Sequence, residues 1–279
     1  MNMISRNPNE DFQYSYSDKE FSRIIELVNQ WTGIHLSREK KPLTYSRYSK
    51  IIRRRQLHGF ADYIALVEEG DDEVTREFIN SITTNFTSFY REDHHFTFLQ
   101  NYLLSSTNKR PVKIWSAGCS TGEEPYTIAM TIKEAQRRDR SVDACLLATD
   151  LDRDVLARAE AGVYAADRIE GLTKERKTSF FLKGCGNKLG MVRIKPEIRN
   201  LIDFAQLNLM DSWSLPHNMD IIFCRNVMIY FNKATQKMLI DKFAKVQSVG
   251  SKLVIGHSEN IGIENSQYKL IGKTIYERV

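Results

Sequence analysis

From Val112 to Tyr126 the chain passes from an apolar run (112–115) through small residues that include Gly118 and Gly122, and then into Glu123, Glu124 and Pro125. This is the pattern of a strand, a tight turn and a helix start. Small residues there let a ligand approach the backbone, and a helix N-terminus exposes unpaired N–H groups. A phosphate-binding loop would place lysine or no charge where Glu123 and Glu124 stand. The acidic pair points instead to a cofactor that is cationic or rich in hydroxyl and amino groups. S-adenosylmethionine, with its sulfonium, ammonium and ribose, meets that description.

The elements around this turn are those of an open α/β sheet. After about residue 110, strands at 112–115, 144–148, 201–206 and 219–224 alternate with helices at 125–138, 153–162 and 233–246. Such alternation predicts a mostly parallel, doubly wound sheet. The closing strands, 252–256 and 268–276, have only a short connection and should form an antiparallel pair at one edge. That mixed ending is the mark of the methyltransferase variant of the sheet. Ligands bind outside the carboxyl ends of such strands, where this chain carries Gly118 to Glu124, Asp150, Asn208 with Leu209, and Arg225 with Asn226. A carboxylate at Asp150 can accept from both ribose hydroxyls. Singly, each of these is a weak signal: Asp150 is also a good helix cap, and Asn208 and Asn226 are also good turn residues. Four successive strand ends bearing such groups make the stronger case.

Upstream, the pattern has a helical period throughout. Ser17 and Glu20 have capping-box spacing, with Phe21, Ile24, Ile25 and Val28 on one face and Gly33 as the stop. Further helices are predicted at 44–58, ended by Gly59, and at 61–69 and 72–82. The domain plan is therefore a disordered tail over 1–16, an all-α domain over 17–84, a linker over 85–110 and a catalytic domain over 111–279. Short apolar runs around Gly184, Gly186 and Gly190 predict a small antiparallel β insertion at about 178–204.

Composition narrows the class. The chain has 279 residues, is 42% hydrophobic and carries a net charge of +5, as expected of a soluble protein. It contains no apolar run near 18 residues and its polar start lacks a signal-peptide core, which predicts a cytoplasmic protein without membrane insertion. The four cysteines are scattered and the histidines are not spaced as ligands, so neither a disulfide framework nor a metal site is expected. Eight basic residues (Arg38, Lys40, Lys41, Arg47, Lys50, Arg53, Arg54, Arg55) face one acid, Glu39, between positions 38 and 55. That excess suits an acidic partner as well as it suits a solvated helix face.

The runs 115–126, 223–231 and 256–260, together with 83–92, resemble the motifs of the bacterial chemotaxis receptor methyltransferases, the CheR family, and the resemblance spans nearly the whole chain from Phe21. It implies a class I S-adenosylmethionine methyltransferase fold and a protein-glutamate O-methyltransferase acting on chemoreceptor helices. It places cofactor contacts on Asn85, Thr87, Arg91, Glu124, Asp150, Asn208, Leu209, Arg225 and Asn226, with Arg91 and Tyr230 beside the reacting groups. Glu124 is expected to answer the positive methionine end of the cofactor. The resemblance also turns the basic helix, through Arg47, Lys50, Arg53 and Arg54, toward the receptor's acidic methylation region. The spacing of Lys183, Gly184, Gly186, Gly190 and Arg193 is similar to members that dock a receptor C-terminal peptide, although arginine often stands where this chain has Lys183. A monomer is expected. A nucleic-acid methyltransferase is the nearest rival. The chain has Cys224-Arg225-Asn226-Val227 where amino-directed enzymes need an Asx-Pro-Pro-aromatic turn, and Cys224 follows Phe223 where carbon-directed enzymes have proline. A non-catalytic adaptor of the same fold is the other alternative.

Overall fold

The structure, a computed structural model, describes residues 14–105, 110–215, 218–262 and 265–279. The chain divides into two compact units, one ending at Thr83 and the other beginning at Thr84.

The first unit is built from α1 (Asp18–Thr32), α2 (Lys41–Arg54), α3 (Phe60–Glu68) and α4 (Asp72–Ile82). The capping box forms as the sequence implies, with Ser17 N donating to Glu20 Oε2 (2.7 Å), and Gly33 closes α1 at φ 72°. Ile24, Val28, Tyr48, Ile52, Tyr63 and Phe78 bury the shared core. Two expectations shift. The predicted tail lies outside the described residues through position 13, but Tyr16 packs in this unit, stacked on Phe60 at 3.9 Å. The second helix starts at Lys41 with Pro42 in its first turn and ends at Arg54, and Gly59 becomes the N-cap of α3. A left-handed Gln56 (φ 57°) follows the end of α2.

Not all of the basic helix is a free cationic face. Arg47 Nη1 donates to Ser81 O (3.0 Å) and Thr83 O (2.8 Å), covering carbonyls that the end of α4 leaves unpaired. Arg54 and Arg55 pair with Glu77. Lys50, Arg53 and Arg54 remain exposed. Arg47→Ala is therefore expected to destabilise this unit by about 1–3 kcal/mol, the range for a hydrogen bond from a charged donor, while Lys50→Ala stays within ~0.5 kcal/mol. Urea unfolding of both variants checks the difference.

The second unit contains α5 (His94–Ser105), β1 (Val112–Ala117), α6 (Glu123–Arg138), β2 (Ala144–Asp150), α7 (Arg153–Ala161), β3 (Val163–Ala165), α8 (Lys174–Phe180), β4 (Phe181–Lys183), β5 (Met191–Ile194), α9 (Pro196–Arg199), β6 (Ile202–Gln206), β7 (Ile221–Cys224), α10 (Lys233–Val246), β8 (Lys252–Ile255), β9 (Tyr268–Gly272) and β10 (Ile275–Arg278). A seven-stranded sheet runs β6-β2-β1-β7-β8-β10-β9, parallel from β6 to β8 and antiparallel beyond. The stretch 268–276, read as one strand, is a hairpin folded at Lys273 and Thr274, with Thr274 at φ 56°. The stretch 85–110, read as a linker, supplies α5, which packs on α6. No described helix is long and apolar enough to cross a membrane.

The small antiparallel sheet has order β3-β5-β4, so one of its strands comes from upstream of the predicted insertion. Gly184 is required there because a Cβ would lie 2.0 Å from Lys188 O. Register separates the two cations of the expected docking motif. Arg193 pairs with Leu182, whereas Lys183 pairs with Val192. Neighbours along a strand point to opposite faces, so Arg193 and Lys183 do not share one.

Candidate active site

Topology brings the sequence-selected residues to the carboxyl ends of β1, β2, β6 and β7. The strand order reverses between β1 and β7, which is where open α/β sheets leave a crevice. The turn after β1 folds back on β2, with Gly118 N and Cys119 N both donating to Thr149 O at 2.8 and 2.9 Å. Gly118 has φ 88°, and a Cβ there would lie 2.5 Å from Val227 Cγ2 beyond the end of β7. Only glycine combines that conformation with that approach.

Asp150 organises the second wall. Its Oδ2 accepts from Ser120 N (2.8 Å) and its Oδ1 from Asp152 N (3.0 Å). Each carboxylate oxygen retains capacity for another donor, as ribose hydroxyls would require. Burial pushes its pKa up to about 6, against the opposing pull of the backbone N–H groups of Asp152 and Ser120. Asp152 caps α7 through Asp154 N (2.9 Å) and accepts from Asn85 Nδ2 (3.2 Å), and Ser120 Oγ donates to Asn85 O (3.3 Å). The segment before α5 is thereby stitched to this wall. Next to it, Leu207 N donates to Asp150 O (3.0 Å). Asn208 Oδ1 takes Met210 N (3.0 Å) in its own turn, and Leu209 is buried.

The acidic pair after the β1 turn is held by partners within the protein. Glu123 accepts from Thr121 Oγ1 (2.6 Å) and Arg168 Nη2 (2.5 Å), and that same Arg168 nitrogen donates to Thr87 O (2.5 Å). Glu124 accepts from Ser116 Oγ (2.8 Å) and Arg225 Nη1 (2.9 Å). Both carboxylates are buried and each is answered by an arginine of the protein. Each carboxylate oxygen still has acceptor capacity beyond these bonds. Arg225, with 2% of its side chain exposed, also donates to Arg91 O.

The loop after β7 hangs on Glu259, whose carboxylate accepts from Gly256 N (2.6 Å), Asn226 N (2.9 Å) and Ile229 N (3.2 Å). Burial raises its pKa, and the same backbone donors pull the other way. Asn226 is left-handed at φ 59°, a conformation asparagine tolerates better than most residues. Tyr230 ends a 3₁₀ turn (Met228–Tyr230), half-buried, and is joined to the cluster through its own N–H to Val227 O (3.2 Å). Arg91 Nη1 donates to Phe86 O (2.9 Å) and its guanidinium lies 5.5 Å from the Phe86 ring centre.

Hydrogen bonds link Asn85 with Asp150 through Ser120 and Asp152, and Glu124 with Arg225 and Arg91, while Thr87 is tied to Arg168 and Asn226 to Glu259. Lys183, Gly184, Gly186, Gly190 and Arg193 lie apart from these residues in the small sheet and its loop. Sequence reasoning gave no role to Glu92, Asp152, Arg168 or Glu259. Glu92 and Glu259 do lie inside motifs that the resemblance quoted.

This donor set suits an adenosyl ligand: a carboxylate at Asp150 for a diol, small residues at the β1 turn, and polar backbone at every strand end. Ionised Asp150 is the better acceptor for ribose hydroxyls, so protons should compete with the ligand. The dissociation constant of S-adenosylhomocysteine is expected to be flat above about pH 6 and to rise by up to ~10-fold per unit below it. Calorimetry across pH checks this, with Asp150→Asn as the variant in which the dependence disappears. Unliganded stability has the opposite sign. Because the native value lies above the ordinary 3.8, this group's contribution is full below about pH 4 and is lost as pH rises through about 6.

Residues 19–83 match the family model described as CheR methyltransferase, all-alpha domain, and residues 85–276 match CheR methyltransferase, SAM binding domain. The chain is 39% identical to a chemotaxis protein methyltransferase of Klebsiella aerogenes, covering 93% of this chain and 89% of that one. It is 39% identical to chemotaxis protein methyltransferase 2 of Pseudomonas aeruginosa, covering 96% and 95%, and 37% identical to the Escherichia coli K12 protein named chemotaxis protein methyltransferase, covering 93% and 91%. An all-α unit followed by a mixed, mostly parallel sheet, with polar groups gathered at its strand ends, is what those two descriptions require. The chain belongs to the CheR methyltransferase family, and its cofactor is S-adenosylmethionine.

Proposed function

We propose that this protein forms glutamate methyl esters on the cytoplasmic helices of chemoreceptors, acting as a cytoplasmic monomer in chemotaxis. The observation that supports the reading most is the bond from buried Arg225 to the Arg91 carbonyl, which ties the segment carrying Arg91 to the end of β7. The names of the relatives support it.

When bound, S-adenosylmethionine supplies an electrophilic methyl group on a sulfonium. Gly118, Asp150, Asn208, Leu209 and Asn226 form the wall that holds it, with Asn85 and Thr87 on the segment before α5. Glu124 contributes by fixing Arg225. A glutamate side chain has an ordinary pKa of about 4.3 and is already ionised at neutral pH, so the protein needs no general base. Its task is alignment, which can supply ~7–11 kcal/mol of barrier reduction. Arg91 orients the substrate carboxylate as a charged pair. It damps nucleophilicity as well, so its role is positioning and not activation. We assign Tyr230 to the same end by its match to the family motif in 223–231.

On this reading Lys50, Arg53 and Arg54 face the receptor's acidic methylation region, and the small sheet docks a receptor C-terminal peptide. Since Lys183 and Arg193 leave opposite faces, the docking rests on one cation at a time. Incubation with labelled cofactor and chemoreceptor fragments should give base-labile label on receptor glutamate. Label on RNA or DNA, or none, overturns the reading. Calorimetry with an aromatic-acidic C-terminal peptide tests the docking alone, and absence of binding removes that part.

A further inference from the structure

Arg91 stands between two residues in the left-handed region, Tyr90 at φ 54° and Glu92 at φ 57°. Non-glycine residues reach that region at a cost and keep it only where their surroundings over-determine it. Tyr90 is held by its N–H to Thr127 Oγ1 (3.2 Å). Glu92 is held through its side chain. With 11% of that side chain exposed, its Oε2 accepts from His257 N (3.2 Å) and its Oε1 lies 3.0 Å from His257 Nδ1. Arg225 Nη2 is 3.5 Å from the same Oε2 and donates to Arg91 O. One carboxylate therefore touches the residue beyond β8 and the arginine beyond β7, and it belongs to the residue next to Arg91.

We propose that Glu92 is a positioning residue for methyl transfer: it ties the end of β8 to the segment before α5 and so sets Arg91 and Arg225 at the reacting end of the site. The proposal rests on the reading of Arg91 given above. Several features require a carboxylate. Glu92 meets two donors of His257 and a cation, and glutamine would turn an amide N–H₂ toward one of them. Burial pushes the Glu92 pKa up, but the His257 hydrogen bonds and the Arg225 charge outweigh it and hold the group below the ordinary carboxylate value. His95 Nδ1 lies 3.5 Å from Oε2, yet burial, with Arg225 and His94 beside it, pushes its pKa down to about 3. It meets Glu92 as a neutral imidazole and leaves Arg225 and His257 as the partners that matter.

The test measures methyl transfer from labelled S-adenosylmethionine to a chemoreceptor cytoplasmic fragment, with S-adenosylhomocysteine affinity measured separately by calorimetry. A displacement of about 1 Å in a positioning group costs on the order of 100-fold. On that scale Glu92→Gln is expected to lower kcat by about 30-fold while leaving the S-adenosylhomocysteine Kd within about threefold. In an Arg91→Ala background the same substitution should lower kcat by less than about tenfold, because Arg91, one of the two groups it positions, is gone. His257→Ala, an exposed substitution that keeps the backbone N–H, should lose about tenfold and serves if Glu92→Gln fails to fold. A kcat for Glu92→Gln within threefold of the unsubstituted protein overturns the proposal, as do losses that multiply in the double variant. If the unsubstituted protein transfers nothing to the fragment, it is the functional reading that fails.

Discussion

Arg225→Met is expected to be among the most destabilising single changes in the second unit, lowering its stability by about 3–5 kcal/mol, the usual cost of stranding one partner of a buried ion pair. Glu124 would be left as an uncompensated buried carboxylate with only Ser116 as a donor, and Arg91 O would lose its partner. The Arg225 guanidinium also lies 5.4 Å from the Phe96 ring centre, so some packing is lost as well. For a unit of this size the melting midpoint should fall by ~10 °C. Trp115 and Trp213, which pack together at 5.0 Å, report on this unit by fluorescence, whereas Trp31 belongs to the first. Adding Glu124→Gln should recover part of the loss, because the stranded charge is removed. A single-variant loss below ~1 kcal/mol would show that the Arg225–Glu124 pair is not what holds β7 to α6.

Asp150→Asn is expected to weaken S-adenosylhomocysteine binding by about 100-fold, near 3 kcal/mol, as expected when hydrogen bonds to a charged acceptor are lost. Two effects act in the same direction. The charged acceptor offered to the ribose disappears, and an amide N–H₂ must face either Ser120 N or Asp152 N, both of which now donate to the carboxylate. The second effect would loosen the β1 turn, so stability should fall by about 1–2 kcal/mol, far less than the affinity. An affinity within threefold of the unsubstituted protein would remove Asp150 from the cofactor site. A large loss of stability with unchanged affinity would leave it only a structural role in the turn.

Much of the architecture was legible because local patterns report it directly. The capping box at Ser17, the strand-to-helix turn at Gly118 and the period change after residue 110 each correspond to an element that formed. Misreadings came where one segment served two elements. Residues 268–276 look like one closing strand, yet Thr274 turns left-handed and folds them into a hairpin. Residues 85–110 look like a connector, yet α5 buries Phe96, Leu99 and Leu103 in the core of the second unit. The docking motif around Lys183 and Arg193 could be spaced from sequence, but the side of the sheet each residue occupies depends on pairing with β5.

The site divides in the same way. Residue types and strand-end positions are local properties, so the sequence by itself determined that Gly118, Asp150, Asn208, Arg225 and Asn226 stand at or just beyond the carboxyl ends of the strands. Which charge answers which is a long-range property. Glu124 meets Arg225 a hundred and one residues away and Glu123 meets Arg168 forty-five away, and no local pattern encodes those pairs. Burial makes the pairing obligatory, since an ionised carboxylate out of water must find a cation or lose its charge. The acidic pair that suggested a cationic cofactor also anchors two arginines. Only the tertiary structure decided that, by closing β7 and the segment between β3 and α8 over the turn that begins at Gly118.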